Sequence, residues 1–290
     1  MVAVKDLYGG TRRLFDRVLS KLGIQFTYVE GAEPAQFEAA MKPETKMFWA
    51  ESPSNPLLRI VDLRRTADVA HKHNSIFVVD NTFMSPYLQQ PLKLGADIVV
   101  HSTAKYLGGH SDLIGGAVVV SDEELHQNIR FAQNAVGAVP GPLDCWLALR
   151  GTKTFAIRLE KHCSSAMRIA NFLSTHEKVL QVFYPGLESH PNHQVGKSQM
   201  RAYGGMVSFY LKGNCESCKS LLRELKIFTL AESLGGVESL ADHPASMTHA
   251  SVPKEEREKV GITDSLIRLS VGIEDVEDLV SDLFCALEKV

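Results

Sequence analysis

The apolar stretches of this sequence all fall well short of the roughly 18 residues that a membrane helix needs, so it contains no candidate span. No basic block occurs and the net charge is −3, which removes the electrostatic support that nucleic-acid binding requires. Met1 leads into a charged, glycine-containing segment rather than an apolar signal core, so no secretory signal is in view. Cysteine is sparse. Cys145, Cys163, Cys215, Cys218 and Cys285 are odd in number and scattered, which argues against a disulfide framework and for a reducing cytoplasm. The C-x-x-C spacing of Cys215 and Cys218 has no second ligand pair at zinc-site spacing. It opens an amphipathic helix ahead of Leu221-Leu222 and is expected to be structural. No metal site is expected, and no internal repeat or low-complexity stretch is evident.

What is present suffices for a large core. The 290 residues are 44% apolar and 22% charged, ordinary for a globular protein and long enough for two lobes. In the first half, apolar runs alternate with helical patterns. Residues 26–29, 46–49, 75–80, 97–101 and 113–120 read as strands, and 34–41 and 63–73 as helices between them. Such alternation predicts an α/β fold with a mostly parallel, doubly wound sheet. Beyond Ser121 the character changes. Helices are expected over 122–136, 141–149, 154–176, 217–225 and 276–290, with apolar segments at 179–184 and 206–211. The lobe boundary is placed near Phe155, giving a large domain over 1–155 and a smaller α+β domain over 156–290.

Two polar residues stand at the ends of buried-looking strands. Asp80 closes Ile76-Phe77-Val78-Val79-Asp80, and Lys105 lies just past Ile98-Val99-Val100-His101-Ser102. Ligands of open α/β sheets collect at the carboxyl ends of strands. A lysine and an aspartate delivered there suit pyridoxal 5'-phosphate (PLP): the amine forms a Schiff base, and the carboxylate keeps the pyridine nitrogen protonated. The same residues also fit a solvated loop lysine and a helix-capping aspartate. The neighbours favour the first reading. The Ser102 hydroxyl can donate to a phosphate, and Gly108 and Gly109 allow close backbone approach.

Seven segments, in order along the chain, then carry a resemblance. They are Leu7-Tyr8-Gly9-Gly10-Thr11, Glu51-Ser52-Pro53-Ser54-Asn55-Pro56, Val79-Asp80-Asn81-Thr82-Phe83, His101-Ser102-Thr103-Ala104-Lys105-Tyr106, Gly109-His110-Ser111-Asp112, Leu230-Ala231-Glu232-Ser233-Leu234-Gly235-Gly236 and Leu266-Ile267-Arg268-Leu269-Ser270-Val271-Gly272. Together they resemble the Cys/Met-metabolism family of PLP-dependent enzymes, over nearly the whole chain. The resemblance implies an aspartate-aminotransferase-like (type I) fold, PLP as cofactor, a small amino-acid substrate and a homodimer or homotetramer.

By resemblance, Lys105 is the Schiff-base and proton-moving lysine, and Asp80 pairs with the pyridine nitrogen. Tyr8 stacks on the cofactor ring and assists proton transfer, and Ser102 holds phosphate. Asn55 contacts both cofactor and substrate, Arg268 grips the substrate α-carboxylate, and Ser233 and Glu232 lie near the substrate. Tyr8 by itself also reads as a core or hairpin tyrosine, Arg268 as a surface arginine and Glu232 as a solvated carboxylate. Members acting on methionine carry Cys where Gly10 stands and an apolar residue where Glu232 stands. The implied reaction is therefore γ-elimination of L-cystathionine to cysteine, 2-oxobutyrate and ammonia, with hydrogen sulfide release from cysteine as a side activity. Members that make cystathionine by γ-replacement keep the same residues and remain an alternative. So does a truncated, non-catalytic paralogue.

Two departures bear on the cofactor. The family commonly has Thr where Ala104 stands, and loss of one charge-assisted hydrogen bond costs about 1.5–3 kcal/mol. Members also carry a longer region ahead of the Tyr8 motif, with a phosphate-binding turn and a Tyr and Arg that reach a neighbouring subunit. The chain thus reads as N-terminally shortened, a fragment or a short isoform.

Overall fold

Short β-branched and aromatic runs build two sheets, each covered by helices whose apolar faces repeat at helical spacing. The computed structural model describes residues 1–30, 33–250 and 252–290. The first sheet contains β1 (Val2–Val4), β2 (Thr27–Val29), β3 (Met47–Glu51), β4 (Ile76–Asp80), β5 (Ile98–Ser102) and β6 (Gly116–Val120), in the order β2-β1-β3-β4-β5-β6. All its pairings are parallel except β5 with β6. The parallel strands therefore send their carboxyl ends to a common edge.

The connecting helices are α1 (Gly9–Arg17), α2 (Pro34–Ala39), α3 (Leu63–Lys72) and α4 (Ser85–Leu88). In α3 the Asp62 side chain accepts from the Arg65 amide, and Leu63, Ala67 and Ala70 face inward at i, i+4 and i+7. Phe37, Phe48, Phe77 and Leu63 are fully buried in this core. Each is worth about 1.5–3 kcal/mol relative to exposure.

The second sheet joins β7 (Val179–Phe183), β8 (Met206–Leu211), β9 (Thr229–Leu230), β10 (Leu240–Asp242) and β11 (Leu266–Ser270) in the order β7-β8-β11-β10-β9. Its helices are α5 (Glu123–Val136), α6 (Pro142–Gly151), α7 (Phe155–Thr175), α8 (His193–Gln199), α9 (Cys215–Glu224), α10 (Lys254–Lys259) and α11 (Val276–Glu288), of which α5 and α6 lead from β6 into α7. The core here packs Ala166, Ile169 and Leu173 of α7 against Val207, Phe209, Ile267, Leu269 and Leu283. Cys218 belongs to this core and Cys215 is half-buried at the start of α9, so the C-x-x-C pair is part of helix packing. Among the described residues no helix is long and apolar enough to cross a membrane.

A third apolar cluster joins the two halves. Leu58, Phe83, Met84 and Tyr106 meet Leu159, Met206 and Leu234 there. This seam lies under the carboxyl ends of β3, β4 and β5, where the polar residues gather. The expected strands and long helices are present, with ends shifted by at most three residues. The elements β1, α1, α4, α8, β9, β10, α10 and β11 go beyond the sequence reading.

Candidate active site

The parallel register fixes the first part of the site. Glu51 and Asp80 are paired neighbours at the ends of β3 and β4, and Asp80 in turn faces Val100 on β5. After Asp80 the chain turns, and the Thr82 amide donates to Asp80 Oδ1 at 3.0 Å. Thr82 Oγ1 accepts from the Ser102 amide at 2.9 Å. The ends of β4 and β5 are thus tied together by one threonine. Burial raises the Asp80 pKa, against the opposing bonds from Thr82.

Lys105 sits in the tight turn 103–107 that follows β5, with a non-helical backbone at φ −101° and ψ −134°. Arg158 holds that turn from behind. It is 3% exposed, and it donates to the carbonyls of Tyr106 and Gly151, each at 2.9 Å, and to Thr154 Oγ1 at 3.1 Å. Gly109 is needed beside it: at φ +75° a side chain would overlap the guanidinium. Burial lowers the Lys105 pKa, and the charge of Arg268 lowers it further. A larger neutral-amine fraction follows, as a base or nucleophile requires.

The second half supplies the opposing wall. Lys105 Nζ donates to Ser233 Oγ at 3.0 Å. Arg268, in the middle of β11 and 1% exposed, donates to Asn55 Oδ1 at 2.9 Å, to the Glu232 carbonyl at 2.7 Å and to the Ser233 carbonyl at 3.3 Å. Its Nε has no hydrogen-bond partner among the described residues. Gly235, at φ +74°, lets this segment lie on the Lys105 turn, because an added Cβ would stand 2.8 Å from the Tyr106 nitrogen. Its amide is fixed to Ser270 Oγ at 2.8 Å.

Tyr8 joins through its backbone. Its amide donates to Glu51 Oε2 at 2.8 Å, while its side chain stays 55% exposed. Gly10 follows closely, since a Cβ there would meet the Tyr8 ring at 2.4 Å. Glu51 is buried, and burial and then the neighbouring Asp80 charge push its pKa well up.

The eight sequence-predicted residues, with Thr82 and Glu51, form two bonded groups. Ser102, Thr82, Asp80, Glu51 and Tyr8 make one, and Asn55, Arg268, Glu232, Ser233 and Lys105 make the other. Glu232 contributes its carbonyl to Arg268, while its side chain is exposed. Thr103 turns its hydroxyl toward Gly115, where an added Cβ would lie 2.6 Å from it, and Ala104 brings no donor. Glu51, Arg158 and Asp242, the last 3.3 Å from Arg268 Nη2, stand outside the sequence-predicted set. Glu51 carried the same signal as Asp80, an acid ending an apolar run, while the other two have no local signal.

A cleft of about 780 Å³ lies elsewhere, at the amino ends of β1, β2 and β3 against Phe15, Leu19 and Trp49. It lacks the lysine–aspartate–arginine combination found at the carboxyl edge.

The residues fit PLP at two of its ends. Asp80 is a half-buried carboxylate that Thr82 serves with neutral donors, and a protonated pyridine nitrogen matches it. Lys105 offers an amine with a depressed pKa for the aldehyde. At the phosphate end Ser102 is the predicted donor.

A profile of the Cys/Met metabolism PLP-dependent enzymes matches residues 1–288. A cystathionine gamma-lyase of Dictyostelium discoideum is 52% identical over 289 residues, covering 100% of this chain and 75% of that protein. A cystathionine beta-lyase of Lactococcus lactis is 53% identical over 289 residues, covering 100% of this chain and 76% of that protein. The crystal structure of cystathionine gamma-lyase from Lactobacillus plantarum complexed with L-serine aligns at a TM-score of 0.96 and 44% identity, over 99% of this chain and 75% of that one. The expected type I fold is thereby met.

Proposed function

This chain belongs to the Cys/Met metabolism family of PLP-dependent enzymes, and from that premise we propose that it is a carbon–sulfur lyase that splits L-cystathionine by γ-elimination. The observation that carries the reading is the meeting of Lys105 and Arg268 on one segment. Ser233 takes the Lys105 amine on its hydroxyl and Arg268 on its carbonyl. An amino acid gripped by its carboxylate at Arg268 thus has its α-carbon presented toward the amine of Lys105.

PLP, when bound, supplies an electron sink for the negative charge left at the substrate carbons. Lys105 would hold the aldehyde end and, once freed by the substrate amine, move protons between the α and β carbons. Its lowered pKa suits that duty. Asp80 would pair with the pyridine nitrogen, Ser102 would donate to the phosphate, and Asn55 would contact the phenolic oxygen. Tyr8 would lay its exposed ring on the cofactor and pass a proton to the departing sulfur. Arg268 would take the α-carboxylate bidentately, a geometry that a lysine cannot reproduce. The Glu232 carboxylate, exposed beside Arg268, would receive the distal ammonium of cystathionine.

Residues 1–155 would form the large cofactor-holding domain and 156–290 the small one, a division supported by their separate cores. Apolar side chains exposed on α5 and α6, among them Phe131, Leu143 and Trp146, support a homodimer or homotetramer. Five free thiols support a cytoplasmic setting.

A beta-lyase among the similar proteins supports the second reading, cleavage on the other side of the sulfur. The products decide. Purified PLP-loaded protein given L-cystathionine should release cysteine and 2-oxobutyrate. Homocysteine and pyruvate would establish the β reading. Cystathionine formed from cysteine and an activated homoserine, without elimination, would establish γ-replacement. A cofactor-loaded protein with none of these activities would be a non-catalytic paralogue.

A further inference from the structure

We propose that Asp242 is the positioning residue for Arg268, with Thr248 and His249 locking the Asp242 carboxylate in place. The inference rests on reading Arg268 as the group that grips the substrate α-carboxylate. Asp242 and Arg268 stand opposite each other across antiparallel β10 and β11. Both side chains are 1% exposed, and Asp242 Oδ2 lies 3.3 Å from Arg268 Nη2. A guanidinium withdrawn this far from water needs a nearby anion, and an ill-placed one leaves it misaligned for its ligand. The carbonyls of Glu232 and Ser233 hold Nη2 from one side. Asp242 supplies buried charge from the other.

The carboxylate is itself fixed. Thr248 Oγ1 donates to Asp242 Oδ2 at 3.2 Å. Asp242 Oδ1 has no hydrogen-bond partner among the described residues, so the Thr248 hydroxyl decides which way the carboxylate faces. A hydroxyl has one proton. Having given it to Asp242, Thr248 Oγ1 accepts from His249 Nδ1, 3.0 Å away. The tautomer of His249 follows: its proton is on Nδ1. Burial, then the charges of Arg268 and Arg257, push the His249 pKa down to about 4, so at neutral pH it adds no second cation. The polarity of the chain is consistent throughout, from His249 through Thr248 to Asp242, with Arg268 closing it.

The test compares Thr248→Val and Asp242→Asn with the wild type, all PLP-loaded. Thr248→Val should raise KM for cystathionine about tenfold with kcat changed less than about twofold, and Asp242→Asn should raise it further. If Asp242→Asn does not fold, the near-isosteric Thr248→Val carries the test. An unmoved KM in the variants overturns the role. So does a fall of kcat and cofactor absorbance in step with KM, which marks a merely structural residue. Nitrogen-15 NMR of the Arg268 side chain reads its order without turnover: its slowly exchanging N–H protons should exchange faster in both variants. Faster exchange in the variants of a protein that cleaves no cystathionine would sink the lyase reading and leave Asp242 in its role. Turnover with unchanged KM and exchange would do the reverse.

Discussion

Lys105 Nζ and Ser233 Oγ are 3.0 Å apart, although 128 positions separate them in the chain. The lysine comes from the turn after β5 and the serine from the segment that Arg268 holds by two carbonyls. One support therefore orients the Lys105 amine and the Arg268 guanidinium together. A shift of the 230–236 segment moves both.

Replacement of Ser233 by Ala tests that coupling. The amine loses its hydroxyl partner while the Arg268 contacts to the backbone remain. A fall of about tenfold in kcat is expected, with a smaller change in KM. Steady-state kinetics with cystathionine check it, and an unchanged kcat would leave Ser233 without an orienting role.

Lys105→Ala should remove turnover by about 10³-fold or more, since both the covalent anchor and the base are lost. The visible absorbance of the bound cofactor should be lost with it. Persistence of that band in the variant would place the anchor elsewhere. Asp80→Ala should retain the band but weaken cofactor affinity, read by dialysis against limiting PLP.

The strand ends made Lys105 and Asp80 legible, because Ile76–Asp80 and Ile98–Ser102 are apolar, mostly β-branched runs that end in polar residues. Glu51 has the same pattern at the end of β3, yet its link to Tyr8 is a backbone contact across 43 residues that no local pattern announces. Asp242 was illegible for a related reason. It meets Arg268 only through antiparallel register, and register is set by the whole sheet. The strand Val2–Val4 is too short to show alternation, and α1 begins on two glycines, residues that ordinarily weaken a helix. Family motifs reach the residues proposed to touch ligand, whereas Arg158 and Asp242, which hold the Lys105 turn and face Arg268, lie between motifs.

Ala104 stands in the Lys105 turn with no side-chain donor, and Thr103 points its hydroxyl toward Gly115. Ala104→Thr should therefore add a donor beside Ser102. A hydrogen bond to a charged group is worth about 1.5–3 kcal/mol, or about ten- to hundredfold in affinity. Tighter PLP binding in a fluorescence titration is the expected outcome. An unchanged Kd would mean that position 104 faces away from the phosphate.

Asp6 offers a test of the same edge through stability. It follows β1, is 6% exposed, and accepts from the hydroxyl of Ser54, next to Asn55. Burial raises its pKa from 3.8 to about 6, against the opposing Ser54 bond and the charge of Arg59. In the unfolded chain the carboxyl loses its proton near its ordinary value, while in the folded protein it keeps it to about pH 6. Between those values the folded state binds more protons, so this group's contribution is fully present below about pH 4 and is lost as pH rises through about 6. At 1.36 kcal/mol per unit the loss is at most about 3 kcal/mol. Asp6→Asn can still accept from Ser54 but does not titrate. The stability of wild type minus that of the variant should therefore fall by up to that amount between pH 4 and pH 7. Urea unfolding across this range measures it, and a difference that stays flat or grows with pH would show that Asp6 is ionised and compensated in the folded protein.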